Sequence, residues 1–203
     1  CMTAPRCVML GGDLCGRTVL VTGGAGAVGH YAIQWARRAG ARVITTVSSH
    51  HKASHAQAAG ADLVLNYRTQ DVAAQVGAFT NGAGLDHVVD VDFGGNLETL
   101  LPLMAANGSI SYYASRNAVP AFPATVAMRR NVSIHGVLLN GVPLAARRRA
   151  QADIGRWLNE GGMIHTLSSV YPLPRTADAH LAVESGTKLG TVVVDCAALD
   201  ARH

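Results

Sequence analysis

The sequence lacks long apolar runs. Of its 203 residues, 49% are hydrophobic and only 15% are charged. No segment approaches the roughly 20 consecutive apolar residues that a membrane-spanning helix needs, and no signal peptide is recognisable. We therefore expect an α/β domain with a substantial core and no membrane partner.

Cysteine is scarce, and its spacing forms no known pattern. The four cysteines are Cys1, Cys7, Cys15 and Cys196, and none belongs to a C-x-x-C pair. This spacing argues against a disulfide framework and against the common zinc motifs. We expect reduced thiols, a cytoplasmic location and no metal.

Charge is thinly scattered along the chain. The formal net charge is +4, but the one basic run is 147–149, which lies in a predicted helix and is interpreted as a solvated face. His51 and His55 share a helix face, yet no Glu or Cys completes a metal site with them. We expect neither nucleic acid nor metal as a partner.

What the sequence does contain is a regular alternation of apolar runs and helical patterns. This alternation predicts βαβ units in an α/β fold, a doubly wound six-stranded parallel sheet of the Rossmann type. The predicted strands are Thr18–Thr22, Arg42–Val47, Leu63–Asn66, His87–Val91, Ser109–Tyr113 and Ser133–Leu138. The predicted helices are Met2–Met9, Val28–Ala39, His51–Ala59, Asp71–Ala78, Leu97–Met104 and Pro143–Asn159.

The pattern changes after about residue 162. The strand-like Leu167–Tyr171 and Thr191–Asp195 flank the helix-like Thr176–Glu184, and the three do not extend a six-stranded sheet. We expect a lead-in segment at 1–16, a nucleotide-binding domain at 17–162 and an appendage at 163–203. Because the first residue is not methionine, we also expect the chain to be a piece of a longer protein.

A glycine-rich turn follows the first predicted strand. Gly24, Gly26 and Gly29 form a G-x-G-x-x-G pattern between a buried strand and a helix, which is typical of dinucleotide binding. Glycines there close the turn, let backbone N–H groups approach a pyrophosphate and let the helix pack on the sheet. The phosphates would lie at the positive end of the helix dipole.

The second strand ends without the carboxylate that usually binds the ribose 2′-hydroxyl of NAD. Between Asp13 and Asp62 the sequence has no Asp or Glu, whereas Ser48, Ser49 and Lys52 can bind phosphate oxygens. This arrangement predicts NADP(H) rather than NAD(H). The two serines also suit a helix N-cap, a role compatible with the first.

Tyr67 ends the third predicted strand, beside the second. Its hydroxyl is placed to reach the same phosphate, and a surface tyrosine at a strand end is an equal alternative. The two readings remain open at this point.

Four motifs together with the C-terminus resemble the medium-chain dehydrogenase/reductase superfamily, in particular its zinc-free NADPH:quinone oxidoreductase, or zeta-crystallin-like, branch. The motifs are Thr-Gly-Gly-Ala-Gly-Ala-Val-Gly at 22–29, Val-Ser-Ser-His-His-Lys at 47–52, Gly-Ala-Asp-Leu-Val-Leu-Asn-Tyr-Arg at 60–68 and Gly-Leu-Asp-His-Val-Val-Asp at 84–90. The end of the chain, 179–195, is similar to that branch's C-terminus. The resemblance covers nearly the whole chain.

The resemblance implies cofactor-binding roles for individual residues. It places Gly26, Ala27 and Val28 against the pyrophosphate, and Ser48, Ser49, Lys52 and Tyr67 at the 2′-phosphate. It places Thr3, and backbone around Ala114 and Leu138, near the nicotinamide. Asp92 would lie on the adenine side, unless it only caps the next helix.

The resemblance also implies an activity and a missing domain. Members of this branch transfer hydride from NADPH to a quinone or to an activated C=C or C=O acceptor, a small molecule. Their GroES-like catalytic domain has no counterpart here, so 163–203 would be the segment that returns to complete it. We name no catalytic residue and expect a homodimer through the sixth strand. A module that binds NADPH without turnover, and an alcohol dehydrogenase or enoyl reductase, remain alternatives.

Overall fold

Six parallel strands form the central sheet of the computed structural model, which describes residues 2–197. Cys1 and the end of the predicted appendage, 198–203, lie outside the described residues. The strand order is β3-β2-β1-β4-β5-β6, which confirms the predicted doubly wound sheet. The strands are β1 Thr18–Val21, β2 Arg42–Val47, β3 Leu63–Asn66, β4 Leu85–Asp90, β5 Met104–Tyr112 and β6 Ser133–Gly136.

Seven helices connect and cover these strands. They are α1 Thr3–Met9, α2 Ala27–Arg38, α3 His50–Ala58, α4 Val72–Phe79, α5 Phe93–Leu100, α6 Ala124–Arg129 and α7 Leu144–Glu160. None of the helices within residues 2–197 is long and apolar enough to cross a bilayer.

Strand β1 shows how the sheet is buried on both faces. Val19, Leu20 and Val21 are fully buried, and successive side chains of a strand point to opposite faces. Val19 and Val21 join one apolar cluster with Ala32 of α2, while Leu20 joins a second cluster with Leu97 of α5. Two cores therefore hold the sheet, one on each side.

Helix α5 begins four residues earlier than its predicted start. It begins at Phe93 and includes Gly94 and Gly95, a pair that sequence reasoning treats as a helix breaker. A Cβ on Gly94 would lie 2.7 Å from the hydroxyl oxygen of Ser115. Glycine is needed there because the loop after β5 packs directly on the helix.

Two further differences concern β5 and α6. Strand β5 begins at Met104 instead of Ser109 because pairing with β4 starts at Leu85 and continues past an irregularity in register. Helix α6 was not predicted, and its six residues are too few for a clear helical period.

His87 of β4 joins α1 to the sheet. Its imidazole is fully buried, with Nε2–H donating to the carbonyl oxygen of Cys7 at 2.9 Å and Nδ1 accepting from the Ser109 hydroxyl at 2.7 Å. Burial lowers the pKa of His87, and the two hydrogen bonds raise it. The effect of burial is the larger, so the pKa falls to about 4. The side chain is a neutral imidazole in a defined tautomer.

A second, two-stranded parallel sheet follows. It consists of β7 Leu167–Pro172 and β8 Thr191–Asp195, joined through α8 Thr176–Glu184. The prediction that this segment does not extend the main sheet is confirmed. Ahead of β7, the backbone of Ile164 bonds to both ends of the Gln34 side-chain amide, at 3.0 and 2.8 Å, and its carbonyl also accepts from His30 Nε2 at 3.0 Å. These bonds attach the segment to α2.

Candidate functional site

The glycine turn between β1 and α2 is tight. Gly23 has φ +65°, a conformation that favours glycine, and the Gly26 N–H donates to its carbonyl at 2.9 Å. A Cβ on Gly24 would lie 2.8 Å from Cδ1 of Ile33, so glycine lets the turn pack on α2. This geometry agrees with two of the predicted reasons for these glycines, closing the turn and packing the helix on it, and the approach of N–H groups to a pyrophosphate stays a prediction.

Helix α2 begins directly at the turn, with Gly26 as its N-cap. Glycine has no side chain that could cap the first-turn N–H groups, which form the positive end of the helix dipole. A Cβ on Gly29 would lie 2.3 Å from the carbonyl oxygen of Gly23. The helix therefore packs closely against the turn, with its N-terminus at the positive end of the helix dipole, which favours an anion.

A buried hydrogen-bond network ties the turn to the neighbouring strand. The Thr22 hydroxyl donates to Oδ1 of Asp90 at 2.6 Å and accepts from the Val91 N–H at 2.9 Å. Asn96 Nδ2 donates to the same carboxylate oxygen at 2.8 Å. Sequence reasoning missed Asp90 as a positioning residue; its place at the end of a strand beside β1 was the available signal.

A cavity of about 240 Å³ opens beside the turn and brings four predicted residues together, namely Gly26, Ser48, Lys52 and Tyr67. We call it the lysine cavity. Within it, Lys52 Nζ donates to the Ser48 hydroxyl at 3.1 Å and to the carbonyl oxygen of Gly186 at 2.7 Å. Its full lining is Gly23, Ala25, Gly26, Val47, Ser48, Lys52, Tyr67, Val91, Gly186 and Lys188.

Ser49 lies next to this cavity as the N-cap of α3. Its hydroxyl accepts from the backbone N–H of Lys52 at 3.3 Å, which is the capping alternative. Ser49 is not among the residues that line the lysine cavity. Its capping bond instead orients the first turn of the helix that carries Lys52.

A neighbouring cavity of about 420 Å³ shares Gly23, Tyr67 and Val91 with the lysine cavity and is also lined by Asp92 and Arg116; we call it the Arg116 cavity. Arg116 contacts Asp92 through its backbone N–H at 2.8 Å and through Nε at 2.7 Å. Burial raises the pKa of Asp92, but the hydrogen bonds and charge of Arg116 outweigh it and the pKa is lowered.

An ion pair with Arg116 occupies the carboxylate of Asp92. Asp92 occupies the N-cap position of α5, yet its side chain makes no capping bond there. Its carboxylate forms an ion pair with Arg116, a residue that sequence reasoning missed. Asp92 thus holds the N-cap position while its carboxylate binds Arg116, and both readings of Asp92 stay predictions.

The residues predicted near the nicotinamide lie on separate elements of the fold. Thr3 is the first residue of α1, and the carbonyl of Ala114 accepts from the Phe93 N–H at 3.0 Å. Leu138 is 75% exposed and lines a groove of about 470 Å³ along β6, with Arg6 and His135. These three assignments stay predictions.

The histidines expected not to bind metal lie on α3. His55 stacks on His30 of α2 with 4.4 Å between ring centroids, and burial is the main cause that lowers the pKa of both. Within residues 2–197, no cluster of three or more His, Cys, Asp and Glu side chains is arranged to hold a metal ion.

Comparison with known proteins assigns the chain to a family. The family model described as zinc-binding dehydrogenase matches residues 27–154, a span that begins at the first residue of α2. The chain belongs to this family. It is 30% identical over 187 residues to a 2-haloacrylate reductase from a Burkholderia species, covering 88% of this chain and 55% of the relative.

Relatives named quinone oxidoreductase also match the chain. Human quinone oxidoreductase is 26% identical over 172 residues, covering 85% of this chain and 52% of the relative. These matches confirm the predicted resemblance to medium-chain quinone oxidoreductases. The chain spans about half the length of the curated relatives it matches.

Two solved structures show the same architecture. A mycobacterial protein complexed with NADPH superposes with a TM-score of 0.82 and 28% identity, covering 94% of this chain and 61% of the other. An NAD-dependent alcohol dehydrogenase superposes with a TM-score of 0.86 and 31% identity, covering 96% and 55%. The first structure is named with NADPH and the second with NAD. The choice between NADP(H) and NAD(H) therefore rests on this chain's own residues.

Proposed function

We propose that the chain is the cofactor-binding part of an NADP(H)-dependent oxidoreductase that reduces a quinone or an activated C=C or C=O acceptor. The observation that carries the proposal is the lysine cavity. It lies beside a glycine turn, and its lining residues include two lysines and no Asp or Glu. A 2′-phosphate needs such a setting, because a carboxylate there would repel it.

The residues present fit this cofactor at its phosphates. NADPH supplies the hydride when bound, so the chain's own task is to bind, orient and exclude water. The N–H groups at the start of α2 would hold the pyrophosphate, and Ser48, Lys52 and Tyr67 would hold the 2′-phosphate. The proposed cofactor-binding set is Thr3, Gly24, Gly26, Ala27, Val28, Gly29, Ser48, Ser49, Lys52, Tyr67, Ala114 and Leu138.

The proposed domain arrangement is 1–16 as lead-in, 17–162 as the nucleotide-binding domain and 163–203 as part of a catalytic domain. Large apolar side chains on the second sheet, on its helix and on the turn between β7 and α8 support it: Leu167, Val170, Leu173, Leu181 and Val183 are 45–63% exposed. A surface of this kind is typical of a contact with another domain. The rest of the catalytic domain would cover it and shape the acceptor pocket.

Replacing Lys52 with alanine tests the proposed cofactor. We expect Lys52→Ala to weaken NADPH binding by about 1–3 kcal/mol, because a charge-assisted contact to the 2′-phosphate is lost. NADH binding would change little. Fluorescence titration of both nucleotides measures the difference.

The unmutated protein provides the decisive comparison. Equal affinity for NADH and NADPH before any substitution would contradict the 2′-phosphate assignment. Arg148→Ala is the matched control, because Arg148 is exposed on α7 and its loss changes the net charge by the same amount. That variant should bind both nucleotides as the wild type does.

Three further properties are part of the proposal. A homodimer would form through β6, which is an edge strand of the main sheet and so offers unpaired backbone groups; sedimentation analysis tests it. A zinc-free protein is expected from the resemblance of the sequence motifs to the zinc-free branch, and metal analysis tests it. A cytoplasmic location agrees with the free thiols of Cys7, Cys15 and Cys196, and cell fractionation tests it.

An alcohol dehydrogenase of the same superfamily is the second candidate. It is favoured by the 31% identity to the NAD-dependent alcohol dehydrogenase. The two candidates differ in cofactor and acceptor, so turnover of quinones and of alcohols by the longer protein separates them.

A further inference from the structure

The loop before β8 supplies a second lysine to the lysine cavity. Lys52 and Lys188 are the two lysines of the chain, and both line this one cavity. Lys52 comes from α3 beside the main sheet, whereas Lys188 comes from the segment that forms the second sheet. Their convergence is a tertiary feature with no local sequence pattern.

The loop that carries Lys188 is held against the glycine turn. The Gly190 N–H donates to the carbonyl oxygen of Ala25 at 2.9 Å, and Gly190 forms a parallel bridge with Gly26. Gly190 has φ +65°, and a Cβ there would lie 2.8 Å from Cβ of Thr166. Lys188 is thus only two residues from a backbone contact with the proposed cofactor turn.

The two ammonium groups are bound to neutral oxygens. Lys52 Nζ donates to the carbonyl of Gly186 at 2.7 Å, and Lys188 Nζ donates to the carbonyl of Gly190 at 2.9 Å. Neither lysine forms an ion pair with a carboxylate among the residues that the structure describes. Burial, and then the charge of Lys52, lower the pKa of Lys188. A bound dianion would relieve this repulsion.

We propose that Lys188 is a second cation of the 2′-phosphate subsite, so that Lys52 and Lys188 bind the phosphate monoester of NADP(H) together. The inference rests on the proposed function and extends it to a residue outside the nucleotide-binding sheet. A phosphate between the two lysines would join the loop before β8 to α3. Lys188 then contributes to the preference for NADP(H) over NAD(H).

Substitutions of Lys188 test the inference. We expect Lys188→Ala to weaken NADPH binding about tenfold while NADH binding changes less than about twofold, because only NADPH carries the phosphate. Lys188→Glu should weaken NADPH further, since it places a carboxylate beside the phosphate. The NADH affinity of each variant reports that the site is folded, and Arg148→Ala is again the control of equal charge.

The outcomes separate the two proposals. If the wild type binds NADH and NADPH equally, the proposed function fails. If the wild type prefers NADPH and Lys52→Ala removes that preference while Lys188→Ala does not, only the inference about Lys188 fails. An equal loss of both nucleotides in Lys188→Ala also overturns it, because Lys188 would then act on the shared pyrophosphate or on folding.

Discussion

Replacing Gly29 with alanine is expected to lower the free energy of unfolding by about 3 kcal/mol and to abolish NADPH binding. The added Cβ would lie 2.3 Å from the carbonyl oxygen of Gly23 and 2.9 Å from Cα of Gly24. Both are backbone atoms of the turn, so no flexible side chain can move aside. Either α2 shifts away from the turn or the turn opens, and both remove the aligned N–H groups. Urea unfolding and nucleotide titration measure the two effects.

Gly155→Ala is the matched control for this substitution. Gly155 lies within α7, and a Cβ there would meet nothing within 4 Å. The same chemical change should therefore raise the free energy of unfolding by about 0.5–1 kcal/mol, because alanine favours a helix over glycine. A Gly29→Ala protein that matches the wild type in stability and NADPH affinity would show that the close approach is not needed.

Acidification is expected to remove about 3 kcal/mol of stability through His87. In the unfolded chain this imidazole has its ordinary pKa of 6.5, whereas burial lowers the folded pKa to about 4. The unfolded chain therefore binds a proton below pH 6.5 that the folded protein does not accept until about pH 4. The stability that depends on a neutral His87 is fully present above pH 6.5, and it is lost as the pH falls from 6.5 to 4.

Substitution separates His87 from the other titrating groups. His87→Gln stays neutral at every pH, so its unfolding free energy should fall less steeply between pH 6.5 and 4 than that of the wild type. His51→Gln, at an exposed position on α3, should keep the wild-type slope. NMR titration of the wild-type His87 ring gives a second measurement. An imidazole that titrates near pH 6.5 would refute the expected effect.

The local sequence pattern was enough to predict the bounds of several elements. Strands β2, β3 and β8 have the predicted bounds, because short runs rich in Val, Ile and Leu are typical of strands. Helix α8 also has its predicted bounds. Helix α5 was placed four residues late because Gly94 and Gly95 look like a loop until the packing of Ser115 on them is known.

Some residues of the candidate site could likewise be predicted from the sequence, and others could not. The G-x-G-x-x-G turn, and Ser48 and Lys52 after β2, could be predicted because each follows the end of a strand, and the carboxyl ends of parallel strands meet at one edge. Arg116 and Lys188 could not, since each reaches the site from a distant loop. Tyr67 was an open choice, and the structure places it between the two cavities.

The sequence alone predicts a doubly wound sheet, a dinucleotide turn and a strand end without a carboxylate, because these follow from residue spacing within a few turns or strands. Only the tertiary structure shows that Gly186, 134 residues after Lys52 in the chain, lies against that lysine and brings Lys188 into the same cavity. Such a contact depends on how the second sheet docks on α2 through Gln34 and Ile164, and no local periodicity encodes that path.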